Sequence, residues 1–170
     1  MRFVFSKDIA NPCMIVYVIL PYDEWQAFKA TGKADACAEN HSPVYPWLRR
    51  QIAERTGARD AADVRPVFAW LSRPPSRWMW PPKRAVLKVR VADELVVPID
   101  EDAYIGVLNA MGNGWVDETT DPENMFDVST SSSDVRRAFV AGPITRQMVR
   151  KAWVFRWSTR LRRKTRALNG

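Results

Sequence analysis

His41 is the only histidine in the chain, so imidazole chemistry has a single candidate. Cys37 stands four residues before it, with Asp35 and Glu39 nearby, a spacing that places thiol and ring on one face if the segment is helical. Two soft ligands and loose carboxylates fall short of the roughly three or four N/S ligands that zinc takes. Nothing places Cys37 or Cys13 at a helix N-terminus that would stabilise a thiolate. His41 therefore reads as a solvated loop residue, Cys13 as a small core residue at a strand start, and no metal site is expected. Asp100 and Asp102, with Glu101 between them, form the densest acidic cluster. They suit a cation site or an acid/base pair, but they suit a capped helix start better, where carboxylates meet unpaired N–H groups and the macrodipole. Glu118, Asp121, Glu123 and Asp127 lack the ligand order and central glycine of an EF-hand. The seven glycines build neither GxGxxG nor GxxxxGKS/T. Ser129 and Ser131–Ser133 have no nucleophile-elbow context. No catalytic residue can be assigned on these grounds.

The basic residues are more informative. Arg73, Arg77, Trp78, Trp80, Lys83 and the following Arg84 mix cations with large rings in and beside a stretch, Ser72–Lys83, that holds four prolines in twelve residues. Rings that stack on bases and cations that follow phosphates suit single-stranded nucleic acid. The same residues suit a protein interface, where Trp and Arg are frequent anchors, and the two tryptophans could equally fold onto the core. From Arg150 onward there are eight cations and no acids: Arg150, Lys151, Arg156, Arg160, Arg162, Arg163, Lys164 and Arg166. Residues 1–149 carry 18 basic and 19 acidic side chains, so the whole excess of +7 lies in the last 21 residues. Such segregation concentrates the field and invites a polyanion. Trp153, Phe155 and Trp157 alternate with Lys151, Val154 and Arg156, so the first half of this segment also reads as an edge strand carrying its charges outward.

Positioning these residues requires a core, and 170 residues with 46% apolar side chains can build one domain of ordinary size. Two cysteines exclude a disulfide scaffold and make a reducing, cytoplasmic setting the default. No apolar run reaches membrane-spanning length, and MRFVFSKDIANP turns polar too soon for a signal peptide.

Met14–Leu20 is a β-branched apolar run and reads as a buried strand. Tyr22–Thr31 reads as a helix with Trp25 and Phe28 inward and Gly32 as its left-handed cap. A second helix runs from an N-cap at Ser42, with Pro43 in its first turn, to Gly57, and Trp47, Leu48, Gln51 and Ile52 form its inner stripe. Pro66–Leu71, Ala85–Val91 and Leu95–Ile99 read as strands, the middle one alternating apolar and basic. Asp100 caps a helix over Glu101–Met111 with Tyr104, Val107, Leu108 and Met111 inward. An acidic loop, Val116–Asp134, has one helical turn at Pro122–Phe126. Val135–Val140 and Lys151–Trp157 close the fold as strands around a turn at Thr145–Val149. The sum is α+β: a single domain over residues 1–157 with a mixed or antiparallel sheet of about five or six short strands and about three short helices, followed by a basic tail, residues 158–170.

The order of these segments resembles a bacterial domain-of-unknown-function family, family 3841. VYVILPYDEWQAFKATG is similar to its opening strand and Trp-bearing helix, YPWLRRQ to its second helix and PVFAWL to its aromatic strand. VADELVVPIDEDAYIGVLN is the closest stretch, and MFDV and RAFVAGPITRQMVRKAWVF resemble the end. The resemblance implies an architecture and no activity. A looser similarity to ADP-ribosyltransferase domains implies an NAD cleft in a split sheet, with Tyr17, Asp100, Asp102 and Tyr104 as first suspects. Val16, Val18 and Leu20 on the first strand and Ala138, Phe139 and Val140 on the late one offer no group for that chemistry. The resulting expectation is a binding protein for an acidic partner, nucleic acid or an acidic protein surface, compatible with an inhibitor encoded by a mobile element and requiring no cofactor. The alternative is an NAD-dependent transferase with an atypical or degenerate residue set.

Overall fold

The computed structural model describes residues 12–34, 44–74, 84–113, 123–128 and 137–155. The chain forms β1 (Cys13–Pro21), α1 (Tyr22–Thr31), β2 (Lys33–Ala34), α2 (Val44–Thr56), β3 (Pro66–Trp70), β4 (Arg84–Ala92) and β5 (Val96–Ile99). After these come α3 (Glu101–Gly112), the single turn α4 (Glu123–Phe126), β6 (Arg137–Ala141), β7 (Ile144–Thr145) and β8 (Val149–Phe155). Six strands make one sheet in the order β5-β6-β3-β1-β4-β8, and every neighbouring pair is antiparallel. The architecture is thus α+β, with β2 and β7 paired as a separate small sheet.

The two faces of the large sheet are covered differently. Val16, Val18 and Leu20 point to one face and are fully buried with Val67, Ala69, Leu87, Val89, Ala138 and Val140. Phe28 of α1, Ala34 of β2 and Ile144 of β7 complete that core. On the opposite face, Trp47, Leu48 and Ile52 of α2, Tyr104 of α3 and Met125 of α4 pack over Val97, Ile99, Phe68 and Phe139. Those positions belong to β5, β6 and β3. Among the described residues no helix packs on this second face beyond β3, so β1, β4 and β8 present Ile15, Tyr17, Ile19, Lys88 and Trp153 half-exposed there. Among the described residues, the apolar run of β1 is therefore covered by helices on one side only.

Local chemistry accounts for the element ends. Gly32 adopts φ 76° and its N–H reaches the Phe28 carbonyl at 2.8 Å, the left-handed closure of α1. Arg146 holds that end from the 3₁₀ turn Arg146–Met148 after β7: its N–H donates to the Gly32 carbonyl at 2.9 Å and its Nη2 to the Lys29 carbonyl at 2.6 Å. This joint, with β2 and β7, carries no signal in a two-residue strand and was not foreseen. Asp100 caps α3 by accepting from the Ala103 N–H at 2.9 Å. Asp93–Leu95 form a 3₁₀ turn that returns β4 into β5. The Ser42 and Pro43 helix start, Gly114 and most of the acidic loop lie outside the described residues, but its helical turn is present as α4.

Two positions differ from expectation. Cys13 is exposed, because it sits at the end of β1 opposite Ala92, beyond the part of the strand that the core covers. Lys151 does not oppose Trp153 and Phe155: the period of two puts all three on one face, opposite Lys88, Val86 and Arg84.

Arg137 is the one buried charged residue among those described, 2% exposed. Its Nε and Nη2 donate to the two Glu101 oxygens, each at 2.9 Å, and its guanidinium lies against the Trp70 ring. Burial pushes the guanidinium below its ordinary pKa, and Glu101 opposes that shift. A bidentate pair between the first residue of β6 and the first turn of α3 ties the helical cover to the sheet. Glu101→Ala strips a buried cation of its carboxylate and should cost about 3–5 kcal/mol in chemical denaturation, whereas the paired replacement Glu101→Leu with Arg137→Met should cost much less. A second expectation concerns Glu24, whose carboxyl is raised above 4.5 by burial and by the adjacent Asp23. A raised acid binds its proton more tightly in the folded state, so its contribution is most favourable below the unfolded value and declines as pH rises above it. Glu24→Gln should therefore raise the melting temperature near pH 7 and change it little at about pH 4.

Candidate nucleic-acid interface

Six residues cross the sheet in one row: Ile99, Arg137, Trp70, Tyr17, Lys88 and Lys151, each the register partner of the next. The first three lie in the half of the face that contacts the helices. The last three lie in the open half, one ring followed by two cations. Period two adds Ile15, Ile19, Arg84, Val86 and Arg90 to the same face, and Trp153 and Phe155 from β8.

Tyr17 and Trp153 belong to strands separated by β4, hence about 10 Å apart at the backbone. Their ring centroids nevertheless stand 6.5 Å apart with planes inclined by 25°. The rings thus lean toward each other across β4, over Val86, which is 2% exposed. Two cations converge on Trp153: Arg73 at 5.7 Å and Lys151 at 5.0 Å from the ring centroid. A ring face attracts cations and restricts their wandering, so both positive heads are drawn to the one indole. Arg73 comes from the segment after β3 and Lys151 from the basic C-terminal segment. The fold therefore unites one residue from each of the two cationic signals in the sequence.

No strand of either sheet contains an Asp or Glu. Among the described residues, Arg73, Arg84, Lys88, Arg90 and Lys151 make no ion pair, in contrast to Arg137 with Glu101. Cations gathered without internal counterions keep their capacity to meet an external anion.

Arg150 is exposed and falls at the irregularity in the β4–β8 pairing, outside the regular alternation. Arg77, Trp78, Trp80, Arg156, Arg160, Arg162, Arg163, Lys164 and Arg166 lie outside the described residues, as do His41 and Cys37. Of the residues suspected for NAD chemistry, Asp100 is the helix cap, Asp102 is an exposed first-turn residue of α3 and Tyr104 is buried against Phe68 and Phe139. Only Tyr17 of that set is in the open half-face. Lys88, Arg90 and Trp153 share that half-face with Tyr17, and the sequence alone marked them only as strand residues. The alternation in AVLKVRV was the available signal for the two cations. The Tyr17–Trp153 pair joins positions too far apart in sequence for any local pattern to reveal.

The stack is expected to be dispensable for folding, since both rings are half-exposed. Trp153→Ala should shift the midpoint of chemical denaturation only modestly, by about 1 kcal/mol or less of stability. Compared with family models, with curated proteins and with solved structures, the chain matches none of them.

Proposed function

We propose that the protein binds nucleic acid through the open half of its sheet, with the phosphate backbone as the main source of affinity. The observation that carries this reading is the convergence of Arg73 and Lys151 on Trp153, beside Tyr17 and Lys88, on strands devoid of carboxylates. Isolated surface lysines would be a solvated face and nothing more. Cations held against a ring and flanked by a second ring combine the two contacts that nucleic acid offers, charge at the phosphates and π surface at the bases.

The basic residues beyond Ser158 belong to the same reading. Phe155, the last described residue of β8, has Arg84 as its register partner. Arg160, Arg162, Arg163, Lys164 and Arg166 would extend phosphate contacts from there.

Fluorescence anisotropy with a labelled oligonucleotide over a series of salt concentrations tests the proposal. Log affinity should fall linearly with log salt. Lys88→Gln and Lys151→Gln should each flatten the slope by about 0.7–0.9, the share of one phosphate contact. A chain ending at Ser158 should flatten it further. Binding that ignores salt, or capture of an acidic protein that persists after nuclease treatment, would overturn the assignment in favour of a protein surface.

A further inference from the structure

The structure assigns a particular form of nucleic acid to this face: we infer an unpaired strand, with a base laid on the Tyr17–Trp153 pair and its phosphate between Arg73 and Lys151. This inference rests on the binding function proposed above and adds to it the conformation of the ligand.

Shape excludes the duplex first. A B-form major groove is about 12 Å wide and admits a helix or a two-stranded ribbon. The face in question is three adjacent strands of a six-stranded sheet, β1, β4 and β8, with α2, α3 and α4 packed beside it over β3, β6 and β5. At about 4.8 Å between strands, three strands with their side chains already exceed the groove, and the rest of the body follows them. The face can meet a duplex only along its outer phosphates, which would leave both rings without work.

Chemistry points the same way. Tyr17 and Trp153 present π surface at the middle of a cationic patch rather than at its rim: Lys88 lies between their strands, Lys151 and Arg73 stand on the indole, and Arg84 and Arg90 flank along β4. Rings gain from nucleic acid only where bases are unstacked, as in a single strand. The surrounding cations match the charge of a backbone that passes over the sheet. Ring faces and cationic heads read base surface and phosphate, which ribose and deoxyribose strands share. The occupant is therefore single-stranded nucleic acid irrespective of sugar.

The experiment compares, on the full chain at one low salt concentration, labelled oligothymidine of about 12 nucleotides, oligouridine of equal length and a blunt duplex of equal length. The single strands should bind at least about tenfold more tightly than the duplex, agree with each other within about threefold and quench tryptophan fluorescence. Trp153→Ala should weaken single-strand binding by about fivefold or more and leave duplex binding unchanged, and Trp153→Phe should retain most of the affinity. Circular dichroism and melting of each variant identify a folding defect, and Tyr17→Leu supplies an independent loss of ring surface. Equal or tighter binding of duplex, a Trp153→Ala protein with unaltered single-strand affinity, or a sugar preference beyond about tenfold would overturn the inference. If salt-sensitive binding that depends on Lys88 and Lys151 persists in that case, the nucleic-acid function stands without it. If neither single strand nor duplex binds, both fall.

Discussion

The register between β1 and β4 governs the molecule. Nine consecutive residues pair, Cys13 with Ala92 through Pro21 with Arg84. Side chains alternate along each strand, so this one alignment decides which positions meet the core. Val16, Val18 and Leu20 go inward with Leu87, Val89 and Val91. Tyr17, Lys88 and Arg90 are thereby committed to the opposite face. A slip of one residue would turn three cations, Arg84, Lys88 and Arg90, toward an apolar interior without partners, which costs far more than any ladder hydrogen bond returns. The same apolar contacts that stabilise the fold therefore present the cationic surface.

Charge is handled in two opposite ways within one row of the sheet. Arg137 is desolvated, and its stability requires Glu101 in bidentate contact and an aromatic surface for its remaining area. Lys88 and Lys151 lie three and four strands away along the row, half-exposed and exposed, with no carboxylate partner among the described residues. Water supplies their solvation, and an anion can replace that water. The boundary between the two regimes is Trp70, against which Arg137 packs on one side and beside which Tyr17 stands on the other. The change from a desolvated, paired cation to solvated ones thus takes about three strand spacings of roughly 4.8 Å, set by where the described helices stop.

Most elements were legible because their signals are local. The β-branched run of β1, the glycine after α1, the Asp100 cap and the alternation in β4 each declare themselves within ten residues. What was not legible depends on meeting at a distance. Arg137 looks like an ordinary cation at a strand start, and nothing near it in sequence announces Glu101 as its partner. The β2–β7 pair is two residues wide and depends on Arg146 reaching the end of α1. The parity of Lys151 relative to Trp153 could have been counted directly, since residues two apart share a face. The convergence of Arg73 with Lys151 could not, because it requires the strand order.

The sheet ends differently at its two margins. β5 is four residues long and carries Pro98, which cannot donate to another strand. β8 is seven residues long, has no proline and holds Trp153 together with Lys151. An outermost strand is bonded along one side only and frays more readily than an interior one. The indole and its attendant cation thus ride on an outer strand, which opens more easily than the interior ones. Whatever occupies them draws on the ordered form of β8 alone, so occupancy and the integrity of that margin are thermodynamically linked, each strengthening the other.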